Sequence, residues 1–468
     1  MRVIKEQVRE IWQDIREAVA GTERDFTKTG IGKAIFILSV PMVLEMIMES
    51  VFAVVDIFFV SKLGADAVAT VGITESVMTI VYAIGGGLST ATTALVARRI
   101  GEGDKREAGV AAFQAILLAV FVSLLFSVPG IIWAKSFLKI MGASEEMIRD
   151  GYMYPAIMFG SNGIVMLLFI INAVFRSSGD AAISMRVMFV ANLINIVLDP
   201  ILIFGWGPIP ALGIKGAAIA TVIGRGIAVI YQFFLLFRSH HRIHLTRKSI
   251  RLQWRVMVSL LKVSLGGILQ NMIATSSWII LVRIISVFGA AALAGYTIAI
   301  RILLFVLLPA YGISNAAATL VGQNLGAGFP ERAERSVRIT SIVNMALMGL
   351  VSLVILFNSD DLIRIFIDDP EVIRQGAHAL HIVAYGFVFY ALSMVMVQSF
   401  NGSGDTLTPT LINFVCFWLI EIPLAWALAI WLDMGLTGAS IAILIAESLI
   451  AVIAWWLFRK GKWKLQKV

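Results

Sequence analysis

Twelve apolar runs, each long enough to cross a bilayer, restrict this chain more than any other feature. They cover 34–61, 68–97, 108–133, 151–175, 182–205, 212–237, 257–285, 291–322, 336–358, 376–400, 407–431 and 436–458. No water reaches a backbone N–H or C=O inside lipid, so each group must be satisfied within the protein. Runs of about 20 residues do this as helices. The expected fold is therefore an all-α polytopic membrane protein with twelve transmembrane helices. Composition agrees: 59% of the 468 residues are hydrophobic and 15% charged, too little polar surface for a soluble chain of this size.

The net charge of +8 follows membrane topology and gives no reason to expect nucleic-acid binding. One side receives Lys28, Lys33, Arg98, Arg99, Lys105, Arg106, Arg176, the loop from Arg238 to Arg255, Arg332, Arg335, Arg338 and the tail from Arg459 to Lys467. The other receives only Lys62, Lys135, Lys139, Arg149, Lys215, Arg364 and Arg374. The excess of Lys and Arg on one side puts both termini in the cytoplasm of a multi-pass inner-membrane protein. Residues 1–24 are too charged for a signal peptide. Ile4, Val8, Ile11, Trp12, Ile15 and Val19 share a helical face there, which reads as an amphipathic helix on the cytoplasmic membrane surface or as a frayed, solvated terminus. The single cysteine, Cys416, excludes an intrachain disulfide and is expected to be a buried small apolar residue. His240, His241 and His244 have too few companions for a metal centre. The absence of G-x-x-x-x-G-K-[ST], H-E-x-x-H and G-x-S-x-G removes the nucleotide-hydrolysing, zinc-peptidase and serine-hydrolase readings, and the chain is not expected to be an enzyme or to hold a cofactor.

The chain repeats itself. A shift of 225 (289 − 64) lays Gly64-Ala65 on Gly289-Ala290, Gly87 on Gly312, Gly101-x-Gly103 on Gly326-x-Gly328, and Ser178-Gly179-Asp180 on Ser403-Gly404-Asp405. Six spans per half give parallel repeats, hence two pseudo-symmetric lobes with a cavity between them about which they can rock. The expected divisions are an amphipathic segment at 1–30, an N-lobe at 31–238, a basic linker at 239–256, a C-lobe at 257–459 and a basic tail at 460–468.

Carboxylates at membrane depth are costly and usually mark ion or proton routes. Glu45, Glu49 and Asp56 fall on one face of the first span at 100° per residue, a face that cannot look at lipid. Their repeat counterparts are Gln270, Ala274 and Leu281, so these acids belong to the first half alone. By depth, Asp56, Glu75, Tyr154, Asn195, Asp199 and Thr221 share the outer half of the first lobe. Two carboxylates brought close in low dielectric cannot both ionise easily, and such a pair takes up a proton or binds a monovalent cation, Na⁺ at Asp56, Asp199 and Asn195, through oxygen ligands. The alternatives are ordinary. Asp56 can be a helix-end acid, Asp199-Pro200 a turn ending the fifth span, and Asn195 and Thr221 interhelical hydrogen-bonding groups. Glu45 and Glu49 can pair with basic residues across the lobe interface. Arg225, Lys262, Arg283, Arg301, Glu421 and Glu447 read as structural pairs or snorkelling groups.

The motifs VPM(x)13DxxFVSKLGADAVATVG, ALVARRIGEGD, FRSSGD, NIVLDP and GIKGAAIAT, with second-half counterparts LVGQNLGAG and FNGSGD, resemble the multidrug and toxic compound extrusion (MATE) family, and within it the prokaryotic DinF-like branch. The resemblance covers essentially the whole chain. It implies a cation-coupled secondary antiporter that exchanges amphipathic, often cationic organic compounds for H⁺ or Na⁺ across the lipid bilayer, acting as a monomer. A lipid or lipid-linked precursor flippase of related architecture is the alternative, to which Arg283 and Arg301 lend slight support. Carried over by resemblance, the first-helix acid is Asp56, the helix-bend proline is Pro41, and the N-lobe network is Asn195, Asp199 and Thr221, with Tyr154 and Asn172 as looser matches. The chain departs from the family pattern at Glu45, Glu49 and Glu75, and at Ala53, where an asparagine is often seen.

Overall fold

A computed structural model describes residues 12–21, 24–238 and 242–468. Each apolar run is a helix. In chain order these are α1 Ile31–Ser61, α2 Ala65–Gly101, α3 Lys105–Ile132, α4 Met153–Ser178, α5 Ala181–Phe204 and α6 Ile214–Phe237. The second half holds α7 Trp254–Ile285, α8 Ala290–Gly326, α9 Pro330–Arg364, α10 Pro370–Ser403, α11 Leu407–Trp431 and α12 Gly435–Arg459. Among the described residues ten of these are long and apolar enough by themselves to cross a membrane, and α10, bent by 55°, makes eleven. The remaining expected span is α1, whose 31 residues carry three acids and reach about 46 Å at 1.5 Å per residue. The large side chains left exposed, such as Phe121, Leu124, Leu125 and Val128 on α3, suit a surface solvated by lipid.

The repeat is written into the backbone. Gly64 and Gly289, one repeat apart, open α2 and α8 with φ of 103° and 94°. Gly179 and Gly404 close α4 and α10 in the left-handed conformation, φ 100° and 91°, which a side chain would strain. The contact between the halves has the same symmetry. A Cβ on Gly101 would lie 2.0 Å from the Gln323 carbonyl oxygen, and one on Gly326 would lie 2.1 Å from that of Arg98. A Cβ on Gly87 would lie 2.5 Å from the Ile268 amide, and one on Gly312 2.8 Å from that of Val43. With a shift of 225 (326 − 101), each contact is the other with the halves exchanged, so the halves meet about a pseudo-two-fold axis. Small residues let backbones pack where lipid supplies no hydrophobic drive. Here α2 lies on α7 and α1 on α8.

These contacts lie toward the face that carries residues 12–21 and the C-terminal segment. There Arg98 Nη2 donates to the Gln466 carbonyl at 2.6 Å, and Arg99 Nη2 to that of Val468 at 3.1 Å. Gln323 Nε2 donates to the Ser177 carbonyl at 2.8 Å, again joining the halves. The expected basic tail is packed rather than free. Trp463 is buried and stacks on Phe458 at 4.6 Å, and Lys464 Nζ pairs with Glu334 at 2.5 Å. Of the expected N-terminal helix, Ile4, Val8 and Ile11 lie outside the described residues. Residues 12–20 are helical, and Asp14 holds Lys33 of α1 at 2.5 Å.

Candidate functional site

A cavity of about 560 Å³ lies between the halves, beyond their closed contact. The acid-bearing face of α1 supplies Glu45, Glu49 and Asp56, α2 supplies Glu75 and Tyr82, and α4 supplies Tyr154, Asn172 and Arg176. Thr221 and Arg225, one helical turn apart on α6, also face it. The second half contributes neutral groups: Tyr311, Asn315 and Thr319 from α8, and Gln398 and Asn401 from α10. The halves are therefore similar in backbone and unlike in chemistry, as the unmatched acids of the repeat suggest.

The wall from the first half is layered. Nearest the terminal face, Glu45 is 2% exposed and takes a 2.7 Å ion pair from Arg176 Nη1. Asn172 Nδ2 donates to the same carboxylate at 3.4 Å, and Gln232 Nε2 donates to Asn172 Oδ1 at 2.6 Å. One turn on, Arg225 Nη2 lies 3.4 Å from Glu49 Oε1, with its guanidinium 5.1 Å from the Phe52 ring centre. Tyr82 donates its hydroxyl to Glu75 Oε2 at 3.4 Å. Asp56 is eleven residues beyond Glu45, about 16 Å along the helix. It is half-buried, and among the described residues it accepts no hydrogen bond and pairs with no cation, though the charges of Glu75, Arg225 and Asp199 all act on it. Tyr154 is buried beside Val60, Ile203 and Ala217, within reach of the charges of Asp56 and Glu75.

Behind this wall Asn195 Nδ2 donates to Asp199 Oδ1 at 3.3 Å and to Thr221 Oγ1 at 3.2 Å. Asp199 is fully buried, and its Oδ2 and Asn195 Oδ1 have no partner among the described residues. A buried acceptor left unpaired is costly and calls for an explanation. An all-oxygen donor set of this kind suits a proton or a hard monovalent cation. Among the described residues there is no cluster of three or more His, Cys, Asp or Glu side chains arranged for a metal ion.

Several expectations need correction. Glu45 and Glu49 do pair with arginines, but with Arg176 on α4 and Arg225 on α6, inside the first half and not across the interface. Arg225 lines the cavity and is not a snorkelling group. The signal for it was there: an arginine deep in the α6 apolar run, four residues from Thr221, is costly unless it faces a polar site. Asp199 sits inside α5 and ends no turn. Asn172 joins the Glu45–Arg176 layer, away from Asn195 and Asp199. Glu421 and Glu447 accept serine hydroxyls from Ser277 at 2.9 Å and Ser393 at 3.4 Å. Arg283 and Arg301 are exposed and do not line the cavity. Cys416 is buried, as its setting implies. His240 and His241 lie outside the described residues.

Two helical halves around a charged cavity, with a closed contact at one end, define a polytopic membrane transporter. The MatE family model matches residues 41–201 and again 267–427, and the chain belongs to that family. The two matches begin 226 residues apart (267 − 41), which is the repeat once more. Among curated relatives, the probable multidrug resistance protein NorM of Thermotoga maritima is 26% identical over 441 residues, covering 94% of each chain. The FAD transporter of Shewanella oneidensis is 26% identical, with 92% of this chain and 95% of the relative covered. The multidrug export protein MepA of Staphylococcus saprophyticus is 24% identical, with 92% and 94% covered. Among solved structures, the crystal structure of MATE in complex with MaL6 superposes with a TM-score of 0.88 at 23% identity, covering 94% of this chain and 99% of that one.

Proposed function

We propose that the protein is a cation-coupled secondary antiporter that exports amphipathic organic compounds by alternating access, with H⁺ or Na⁺ taken up in the first half. It is a transporter and not an enzyme. The observation that carries the coupling site is the buried Asn195–Asp199–Thr221 network with unpartnered acceptors, set behind Asp56 at the cavity wall. Neutralising Asp56 and Asp199 by a proton or Na⁺ lowers the repulsion between them and lets α1, which lacks a backbone donor at Pro41, settle against α5 and shrink the cavity. Glu75 and Tyr154 tune the charge around Asp56, and Glu49 lies on the cargo side. Glu45 and Asn172 belong to a structural pair with Arg176 below them.

With the termini cytoplasmic, as the distribution of Lys and Arg argues, the closed end faces the cytoplasm and the cavity faces outward. The two-lobe division at 31–238 and 257–459 follows the repeat and the glycine contacts. The motif FRSSGD and the α1 acid without a C-lobe counterpart favour the DinF-like branch. The names of the NorM and MepA relatives favour drug-like cargo, and the FAD transporter extends the range to larger anionic molecules. The flippase alternative loses its sequence support, because the cavity cations are Arg176 and Arg225, each matched by a carboxylate. Proteoliposomes carrying a fluorescent amphipathic dye on one occasion and a headgroup-labelled lipid on another separate the readings. Gradient-driven dye efflux without lipid translocation supports the exporter, and lipid translocation without dye efflux contradicts it.

A further inference from the structure

The cavity holds two ion pairs of very different quality. Arg176 and Glu45 are in contact at 2.7 Å with 13% and 3% of their side chains exposed, a short pair closed off from solvent. Arg225 and Glu49 stand 3.4 Å apart, beyond the 2.7–2.9 Å usual for a charged hydrogen bond, and Glu49 is 41% exposed. Among the described residues the Arg225 fork reaches Glu49 only through Nη2, and its other neighbour is the Tyr82 hydroxyl. Arg225 is also the cation whose charge reaches Glu49, Glu75, Asp56 and Tyr82 together. Its charge cannot be titrated away. With Arg176 committed to Glu45, the rest of the cavity wall carries three carboxylates and one fixed positive charge.

We infer that Arg225 is a specificity-determining residue, a tethered cation that occupies the Glu49–Glu75 cluster and so discriminates against simple cations while favouring cargo that also carries an anion. A lone cation that approaches Glu49 meets Arg225 as a like charge and must displace it to pair there. A zwitterion does not face that cost. Its cationic centre takes the exposed side of the Glu49 carboxylate while its own carboxylate accepts from the Arg225 fork, so both loosely matched groups gain a close partner. The Phe52 ring under the guanidinium holds the fork in place, and Tyr82 and Phe169, in edge contact at 6.2 Å, offer a surface for an aromatic body. The inference rests on the exporter reading above and adds to it the charge type of the cargo.

The test uses a matched pair of dyes: rhodamine B, cationic with a free carboxylate, and its ethyl ester, which keeps the cation and lacks the anion. Binding to the purified full-length protein is followed by fluorescence anisotropy at pH 7. The wild type should bind the zwitterion more tightly than the ester. Arg225→Gln should invert the order, weakening rhodamine B and tightening the ester by about tenfold each, the scale of one unit charge at a few ångströms in a medium of intermediate dielectric. Arg225→Lys should keep the discrimination against the ester and lose part of the affinity for rhodamine B, because a point charge replaces a fork. Glu49→Gln should move the ratio the other way, weakening the ester most. An unchanged ratio in Arg225→Gln with both dyes still bound overturns this inference and leaves the exporter reading standing. Absence of binding of either dye to the wild type overturns both.

Discussion

Glu45 and Asp56 stand on the same face of α1 and do opposite things because their surroundings differ. Glu45 is buried against Arg176 and Asn172, whereas Asp56 is half-buried at the cavity wall with no ion-pair partner among the described residues. Removing one member of a buried ion pair leaves the other charge uncompensated, at a cost of about 3–5 kcal/mol. Arg176→Met should therefore lower the unfolding midpoint in detergent substantially, and Glu45→Gln should do so too. The double variant, which removes both charges, should recover most of the loss, and equal losses in single and double variants would argue against a sealed pair. Asp199→Asn keeps the hydrogen-bonding shape of the network and removes its charge. It should leave the midpoint nearly unchanged while the dependence of transport on the driving ion disappears.

The helices divide into those the sequence announces and those whose irregularities only packing reveals. Apolar runs located all twelve helices, since a bilayer leaves no other way to satisfy the backbone, but missed both ends of α9 and the start of α10 by six residues, where the helices continue beyond the apolar stretch. The shared face of Glu45, Glu49 and Asp56 was equally legible, because helical periodicity alone sets it. Their partners were not: Arg176 and Arg225 lie 131 and 176 positions away, and only the folded chain brings α4 and α6 to α1. The break of α4 falls at Gly160-Ser161 and the bend of α10 at Tyr385-Gly386, so a glycine marks each. The glycines at 101 and 326, which the sequence matched only as a repeat, are points where the backbones of the two halves touch. A methyl group at either position would run into a carbonyl that cannot move aside. Gly326→Ala and Gly101→Ala should each pry the terminal end open. In a Cys416→Ala background, a cysteine placed at the buried Ser403 should then react faster with a membrane-impermeant maleimide applied from the cytoplasmic side. Gly30→Ala, where a Cβ meets nothing within 4 Å, should leave the labelling rate as it was.

At the scale of the whole molecule, two halves with one backbone plan and two chemistries surround a single chamber. Symmetry supplies the hinge: equivalent glycine contacts on either side of the pseudo-two-fold axis allow one end to close as the other opens. Asymmetry supplies the direction, because the acids that line the chamber belong only to the first half. Arg98 and Arg99 of α2 also hold the C-terminal segment against the closed end. Replacing both by glutamine should shift the population toward the state open at that end, read as a shorter distance between spin labels on the opposite face. The energy available is about 2.3 kcal/mol per charge per 100 mV and about 1.36 kcal/mol per pH unit, so a single coupled ion can sustain a concentration ratio on the order of tens from 100 mV alone and hundreds with one pH unit added. The most direct test is efflux of a fluorescent amphipathic cargo from proteoliposomes, with the pH and sodium gradients imposed separately, for the wild type and Asp56→Asn. The wild type should export under one gradient and Asp56→Asn under neither, with the variant still eluting as a monodisperse protein. Undiminished gradient-driven efflux by Asp56→Asn would contradict an ion-coupling site in the first six helices.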